Sequence, residues 1–299
     1  MLTLTSYMKI KLNFLCLFFT LFVVLSCNND RDSILVEGNI APPDPTIEMV
    51  VVEGYINKLY ISLLGREPSV NEFNIAIDLL GEQLVEQDRI LLVSQIQEDP
   101  NYYKNQLDIF RQDYLNGIDT SLIRKDFVEP YEYALENEEN PIIYEEIEKE
   151  LNSLYLLYNI DLDLILNNID VTEVLRRIVD NPVYDEINMG VENYIVSMSQ
   201  NFLHRYPTNS ELESATLMIE GEQSYCFGGN GDSKSDFNNL FFNHDGYFEG
   251  QVVTNYNKLL YRSPNSSEAS ELAYSYKQNR NFKELQKTIL ISNEFIGIE

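Results

Sequence analysis

The sequence has no tryptophan and only two histidines, and it is poor in basic residues, with 21 lysines and arginines against 48 aspartates and glutamates. A formal net charge of −27 leaves little basic surface for phosphate groups, so we expect no nucleic-acid partner. An anionic membrane surface would repel this body too. Because 44% of the residues are apolar, the chain can still bury a core, which argues against a disordered protein.

The N-terminus predicts export from the cytoplasm. Two lysines precede an almost uninterrupted apolar run from Phe14 to Leu25. This run is too short to span a bilayer core of about 30 Å as a helix, whereas its length suits the apolar region of a signal peptide. A start at Met8 instead of Met1 would make the same layout more compact.

The junction that follows, Ser26-Cys27, resembles the lipobox of bacterial lipoproteins. The resemblance implies cleavage before Cys27 and a diacylglycerol on its sulfur. Residues 1–26 are then a lipoprotein signal peptide and 27–46 a lipidated tether, which clustered prolines stiffen. Residues 28–32 look like a tag for export to the cell surface. We expect an outer-membrane location, on the periplasmic face or the cell surface; a plain secretory signal with an incidental Cys27 is the alternative.

Removal of the signal peptide would change the charge and the cysteines. It leaves 19 basic residues against 48 acidic ones, a formal charge of −29, so the lipid and not the charge must hold the body at a membrane. Cleavage also removes Cys16, and the sulfur of Cys27 would carry the lipid. Cys226 is then left without an internal disulfide partner. Cys226 has no adjacent histidine, as a thiol nucleophile would need, and we predict that it is partly buried and inert.

One pattern occurs three times after residue 47. Each copy has two apolar residues, an arginine, a proline two places later, and then Ser, Thr or Asn followed three residues on by glutamate. Proline stops one helix and the capping box after it starts the next, so each copy predicts a tight corner between helices. The arginine would end the first helix, where a cation is favoured and carbonyl groups need donors; a catalytic role is the alternative. The corner residues are Arg66 and Pro68, Arg205 and Pro207, and Arg262 and Pro264.

Four other segments predict short amphipathic helices that close each unit with a polar turn and an aromatic residue. We expect the aromatic side chain to pack back onto the helices. The segment between Lys104 and Thr172 is either an insertion or a fourth unit without its corner, and an acidic run within it continues as an amphipathic helix through Leu151, Leu154, Tyr155 and Tyr158. The closing segments are 92–102, 174–184, 240–247 and 285–295.

These patterns, without any sustained two-residue alternation, predict an all-α fold. We expect a compact array of repeated helix-corner-helix units after an extended N-terminal tether. Residues 47–187 would hold helical units with the acidic insertion, and residues 188–299 two helical repeat units.

The corner at Tyr60–Pro68 and the closing segment Ile289–Phe295 resemble helical modules related to phycobilisome-linker domains, which occur in secreted and surface bacterial proteins. The corners are also similar to those in helical domains of cytochrome-associated bacterial proteins. The first resemblance implies an interaction or adhesion module, and the second implies association with a redox protein. The residue after proline is commonly aspartate in the first family, whereas here it is Ser69, Thr208 or Asn265. This chain has no Cys-x-x-Cys-His segment with which to attach a c-type haem.

Few residues suit metal or acid–base chemistry. His204 and His244 are not spaced with Cys226 as zinc ligands are, and we predict that both lie at helix ends or turns. The glycine-rich segment 228–236 lacks the spacing of an EF-hand, and a plain loop is its alternative to a calcium site. We predict no catalytic residue and no cofactor apart from this calcium. Its candidate ligands are Asn230, Asp232 and Asp236.

The function predicted from these features is that of a lipid-anchored extracytoplasmic interaction or scaffold protein. It would be an accessory subunit of an envelope or cell-surface complex, with an envelope protein as its partner. The alternative is a periplasmic or surface enzyme, a hydrolase or a redox-associated protein, with a site assembled from distant residues. A deep pocket holding His204, Arg205 or several carboxylates would favour the enzyme, and a large exposed apolar patch would favour the interaction protein.

Overall fold

Helices form nearly all of the regular structure in a computed structural model of the chain, which describes residues 45–81 and 83–298. The predicted all-α class is confirmed. The predicted signal peptide, Cys27 and the tether as far as residue 44 lie outside the described residues. In the part of the chain that is described, no helix combines the length and the apolar character needed to cross a bilayer.

The helices of the first part of the body are α1 (Pro45–Leu64), α2 (Val70–Leu80), α3 (Glu86–Gln97), α4 (Pro100–Tyr114), α5 (Thr120–Leu122), a π-helix (Ile123–Val128), α6 (Glu129–Asn137), α7 (Pro141–Tyr158) and α8 (Ile160–Ile165). The remaining elements are α9 (Val171–Val179), α10 (Pro182–Ile187), α11 (Val191–Leu203), α12 (Asn209–Ile219), β1 (Ser224–Cys226), β2 (Gly229–Gly231), α13 (Lys234–Phe241), α14 (Asp245–Leu259), α15 (Ser266–Asn279), α16 (Phe282–Leu290) and α17 (Asn293–Ile296).

Helix α1 begins inside the segment predicted to be tether. Pro45 and Thr46 belong to α1, because proline is favoured in a first helical turn, where its missing N–H would have no partner. Pro130 has a different effect at the start of α6. Proline has no N–H to donate to the carbonyl four residues back, so the regular α-helical hydrogen bonding is interrupted there. The π-helix immediately before it accommodates this interruption, with Glu129 N–H bonded to Arg124 O five residues back.

Each closing segment has a polar residue that caps the next helix and, three places later, a buried aromatic residue. The side chain of the capping residue accepts a hydrogen bond from a backbone N–H in the first turn of that helix. The aromatic side chains are at most 4% exposed, so the prediction that they pack back onto the helices is confirmed. The pairs are Asp99 and Tyr102, Asn181 and Tyr184, His244 and Tyr247, and Ser292 and Phe295.

The acidic segment forms a helical hairpin made of α6 and α7. The predicted amphipathic helix is present as α7, whose buried face consists of Leu151, Leu154 and Leu157, while Tyr155 and Tyr158 are half-buried. The N-terminal half of α7 has no buried residue, and neither has α6. The hairpin therefore packs on the body through one end.

The glycine-rich segment is not a plain loop, because it contains a short antiparallel β-hairpin. Strand β1 pairs with β2, with Cys226 opposite Gly229. Phe227 and Gly228, at φ 47° and 85°, form the two-residue connection, and two positive φ values are typical of a type I′ turn. Gly231 is required by space, since a Cβ there would lie 2.4 Å from the Cβ of Asp236. Periodicity cannot reveal strands of three residues.

Two clusters of buried apolar residues form the core. One contains residues between Val52 and Tyr102 together with Leu290, Phe295 and Ile296, so the end of the chain packs on its first helices. The other extends from Leu107 to Ile289. It runs across residues 187 and 188, where the sequence predicts a division, and the described residues from 45 to 298 belong to one compact unit.

Helices α14 and α11 approach closely in the larger core, where Gly250 lies against the backbone of Phe202. Phe202 on α11 contacts four aromatic rings, with centroids 4.9 to 6.2 Å away. A Cβ on Gly250 of α14 would lie 1.7 Å from the carbonyl oxygen of Phe202. Only glycine therefore permits this crossing.

Gly250→Ala should separate α14 from α11 and destabilise the protein by about 3 kcal/mol, because helix backbones and not a flexible side chain must move. Gly54→Ala is the matched control within helix α1, where a Cβ would meet nothing within 4 Å. It should stabilise by about 1 kcal/mol through helix propensity. Urea unfolding of both variants measures the difference, and equal effects would contradict the close crossing.

Candidate functional site

The three Arg-x-Pro corners have the same hydrogen bonds. In the first, Arg66 donates from two nitrogens to the two carboxylate oxygens of Glu72, at 2.9 and 2.7 Å. Glu72 also accepts from the backbone N–H of Ser69 at 2.7 Å, which completes a capping box. The other two corners repeat these contacts through Arg205, Thr208 and Glu211, and through Arg262, Asn265 and Glu268.

The arginines do not act as predicted from their position near a helix end. Arg66 lies two residues beyond α1 and donates to the carbonyl of Glu67 within the corner, not to the last carbonyls of the helix. Before each arginine stands a residue with left-handed backbone: Gly65, His204 and Tyr261, at φ 68°, 54° and 56°. Two of these three residues are not glycine, so the usual sequence signal for a left-handed turn is missing at those corners.

The third corner also holds the end of the chain. Arg262 donates to both carboxylate oxygens of Glu294 on α17, each at 2.6 Å. The first corner has a weaker counterpart, in which Arg66 lies 3.7 Å from Asp99 of the closing turn. These ion pairs connect a corner with a closing turn.

The hydrogen bonds from arginine lower the pKa of each corner glutamate, Glu72, Glu211 and Glu268, to about 2. A carboxylate whose pKa is depressed by folding stabilises the fold above its unfolded pKa, and this contribution disappears as the pH falls towards the folded pKa. Here the window extends from about pH 4.5 to about pH 2. The corners should therefore weaken in acid.

Glu211→Gln should reduce the free energy of unfolding by about 1 kcal/mol at pH 7, because the partly exposed Arg205 loses its carboxylate while the cap retains an acceptor. The variant should lose less stability than the wild-type chain between pH 4.5 and 2. Glu213→Gln, at an exposed position on the same helix, is the control and should follow the wild type. Parallel pH profiles of the free energy of unfolding for all three proteins would contradict the role of Glu211.

Both histidines lie at helix ends, as predicted. His244 caps α14 by accepting a hydrogen bond from Gly246 N–H at Nδ1. His204 ends α11, and its Nε2 lies 3.1 Å from Gly250 O and 2.9 Å from Thr254 Oγ1. Burial lowers the pKa of His204. Cys226 is 4% exposed, and burial raises the pKa of its thiol to about 11, which keeps it protonated at neutral pH.

The calcium candidates take part in other contacts in the structure. Asp236 already accepts hydrogen bonds from Asp232 N–H at 3.1 Å and from the Ser233 hydroxyl at 2.7 Å. Asn230 pairs with Tyr225 in the hairpin and is exposed. Among the described residues, no three His, Cys, Asp or Glu side chains come close enough to hold a metal ion. Calcium binding stays a prediction.

The feature best built for a ligand is a cavity of about 240 Å³ between α1, α4, α14 and α16. Four buried amide side chains line it, and we call it the amide cavity. Its apolar walls include Ile109, Phe110 and Phe282, and Ile61 and Tyr261, which are 51% and 91% exposed, lie at its mouth. The four amides are Gln106, Gln251, Asn255 and Gln286, each at most 5% exposed.

A directed chain of hydrogen bonds ends on two residues that line this cavity, Gln286 and Gln106. The Tyr102 hydroxyl donates to Gln286 Oε1 at 2.8 Å, and Gln286 Nε2 donates to Gln106 Oε1 at 3.1 Å. Gln106 Nε2 ends the chain with no partner within the described residues, and Gln251 Nε2 likewise has none there. A buried donor without a partner lowers the stability of the fold by about 1–3 kcal/mol. Two such donors at one cavity would therefore be stabilised by a ligand that supplies hydrogen-bond acceptors.

The amide cavity was not predicted, although the sequence contains a signal for it. Gln106 stands four residues from Tyr102 and Phe110 on the apolar stripe of α4, and Gln286 stands four residues from Phe282 and Leu290 on that of α16. Glutamine on a buried stripe is unusual. The meeting of the two stripes depends on tertiary structure.

A second cavity, of about 380 Å³, lies beside Tyr103 and the starts of α9 and α16. Three of its polar side chains already have partners: Asp170 and Asn281 cap these two helices, and Lys283 pairs with Glu98 at 2.9 Å. Neither His204 nor Arg205 lines this cavity or the amide cavity.

The acidic hairpin exposes apolar side chains next to the connection between its helices. Tyr133 on α6 and Ile142 on α7 are each 70% exposed, and Ile143 and Tyr144 are 41% and 38% exposed. We call these four residues the hairpin surface. Residues 129–150 around them contain nine glutamates and one lysine.

No family model, no curated protein and no solved structure matches the chain.

Proposed function

We propose that the protein is a lipid-anchored, extracytoplasmic interaction protein, an accessory subunit of an envelope complex that binds a protein partner through the hairpin surface. The observation that carries this proposal is the exposure of two tyrosines and two isoleucines at one end of a helical hairpin. Aromatic and branched apolar side chains supply much of the binding energy in protein interfaces.

The charge around the hairpin surface specifies the chemistry of the partner. The nine glutamates of residues 129–150 would repel an acidic surface and attract a basic one. The partner is therefore a protein whose contact surface combines apolar residues with lysine or arginine. The corner residues and closing turns serve this function indirectly, since they make a rigid body from which the hairpin projects.

The membrane anchor is the other half of the proposal, and it rests on the lipobox resemblance at Cys27. Export followed by lipid attachment would keep an acidic body at a membrane that does not attract it. The hairpin surface would then meet partners of the same compartment.

The interaction is tested with Tyr133→Ser combined with Ile142→Ser, in a full-length chain that carries a photocrosslinking residue at the exposed position Glu139. The double variant should lose the crosslinked partner, with an affinity at least about tenfold weaker, because each side chain would contribute about 1–2 kcal/mol. The control is Val70→Ser combined with Tyr274→Ser, which removes side chains 80% and 71% exposed on α2 and α15.

The control should retain the crosslink. Raising the salt concentration should weaken crosslinking of the partner to the unsubstituted hairpin surface, since exposed charges are then screened. If the hairpin variant and the control crosslink equally, or if the captured surface is acidic, the proposal is wrong.

The anchor is tested by Cys27→Ala, which should move the protein from the membrane pellet to the soluble fraction. Cys226→Ala is the control, because Cys226 is buried and should have no part in lipid attachment. Sedimentation of the Cys27→Ala chain with membranes would refute the anchor and leave the hairpin experiment unaffected.

A further inference from the structure

We propose that the amide cavity binds an uncharged small molecule that carries carbonyl oxygens and an apolar group, with the size of one capped amino acid. Two amide donors, Gln106 Nε2 and Gln251 Nε2, carry this binding site independently of the hairpin surface and of the anchor. They belong to residues 97% and 98% buried, and they find no partner among the described residues.

The two donors select a ligand with acceptors. Gln106 cannot turn its oxygen into the cavity without losing the hydrogen bond from Gln286, whose own oxygen is held by the Tyr102 hydroxyl. The orientation of this chain therefore makes the unpartnered group of Gln106, a residue that lines the cavity, an N–H donor. Carbonyl oxygens accept such hydrogen bonds without contributing donors that would compete.

The charge of the cavity selects an uncharged ligand. No aspartate or glutamate is among the described residues that line it. Its one cationic lining residue, Lys258, is paired with Asp113 at 2.5 Å. An anion would enter a chain of formal charge −27 without a free cation to meet it, and the desolvation of a charge is costly.

The walls and the volume define the rest of the ligand. Ile109, Phe110 and Phe282 offer an apolar surface beside the amides. A space of 240 Å³ holds about eight waters at ~30 Å³ each, which is enough for a molecule with two carbonyl groups and one aliphatic side chain. Buried water is the competing occupant, and a ligand that replaces its hydrogen bonds and covers the walls would displace it.

The probe is N-acetyl-leucinamide, which is uncharged and has two carbonyl groups. In the full-length chain, NMR titration should shift the side-chain NH₂ signals of Gln106 and Gln251 in a saturable way. N-acetyl-leucine, which has the same skeleton but a carboxylate at neutral pH, should bind more weakly. No saturable shift with the amide probe, which would mean water alone occupies the cavity, overturns the proposal, and so does equal or tighter binding of the carboxylate.

The variant Gln251→Met separates binding from stability. Removing an unpartnered buried donor should raise the melting temperature by about 3 °C, while affinity for N-acetyl-leucinamide should fall about tenfold. Gln97→Met is the matched control, because Gln97 is 2% exposed and its Nε2 has a partner, Lys283 O, at 2.8 Å. This control should lower the melting temperature and keep the affinity.

A second variant, Gln106→Met, covers the case in which Gln251→Met does not fold, and it should weaken binding similarly. If Gln97→Met weakens binding as much as either cavity variant, the amides of the cavity have no specific role and the proposal is overturned.

Discussion

The bidentate contact between arginine and the capping-box glutamate is the interaction on which the arrangement of helices depends. A capping box alone satisfies backbone donors at the start of a helix, whereas the added arginine fixes the direction from which the chain arrives. Because Arg262 also binds Glu294, the third corner places α17 against α1, where the Phe295 ring meets that of Tyr55 at 6.0 Å. Helices α16 and α17 thus complete the core to which α1 contributes.

The buried amides lie at the junction of the two apolar cores. Gln106 follows the last buried α4 residue of one core and precedes the first of the other, and Gln286 lies next to Leu285 of the larger core and four residues before Leu290 of the other. A layer of polar side chains makes the register of the facing helices specific, since a shifted helix would leave more donors unsatisfied. The layer is nevertheless incompletely satisfied, unlike Gln97, whose amide has a backbone partner. Two unpartnered donors on residues that line the same cavity are what distinguish this layer from a purely structural network.

Negative charge is concentrated in the acidic hairpin, around the surface proposed to bind a partner. Residues 129–150 carry a formal charge of −8, and the helices that hold them bury little. Exposed isoleucine and tyrosine side chains do not stabilise a hairpin that contributes so little to the core. Their exposure is typical of an interaction site. Its association with a basic surface would relieve both the exposure and the repulsion among its glutamates.

Proline, capping residues and amphipathic spacing act over a few neighbouring residues, so the helical class, the three corners and the four closing turns could be predicted from the sequence. The sequence did not reveal the left-handed residues His204 and Tyr261, which lack the glycine signal, or a β-hairpin too short for periodicity. Tertiary structure alone decided that the core continues across residues 187 and 188, and that amides from three distant helices face one cavity. Those outcomes depend on which helix faces meet. The contact of α17 with α1, in which Lys58 donates to Phe295 O, joins residues 237 positions apart, and no local pattern encodes it.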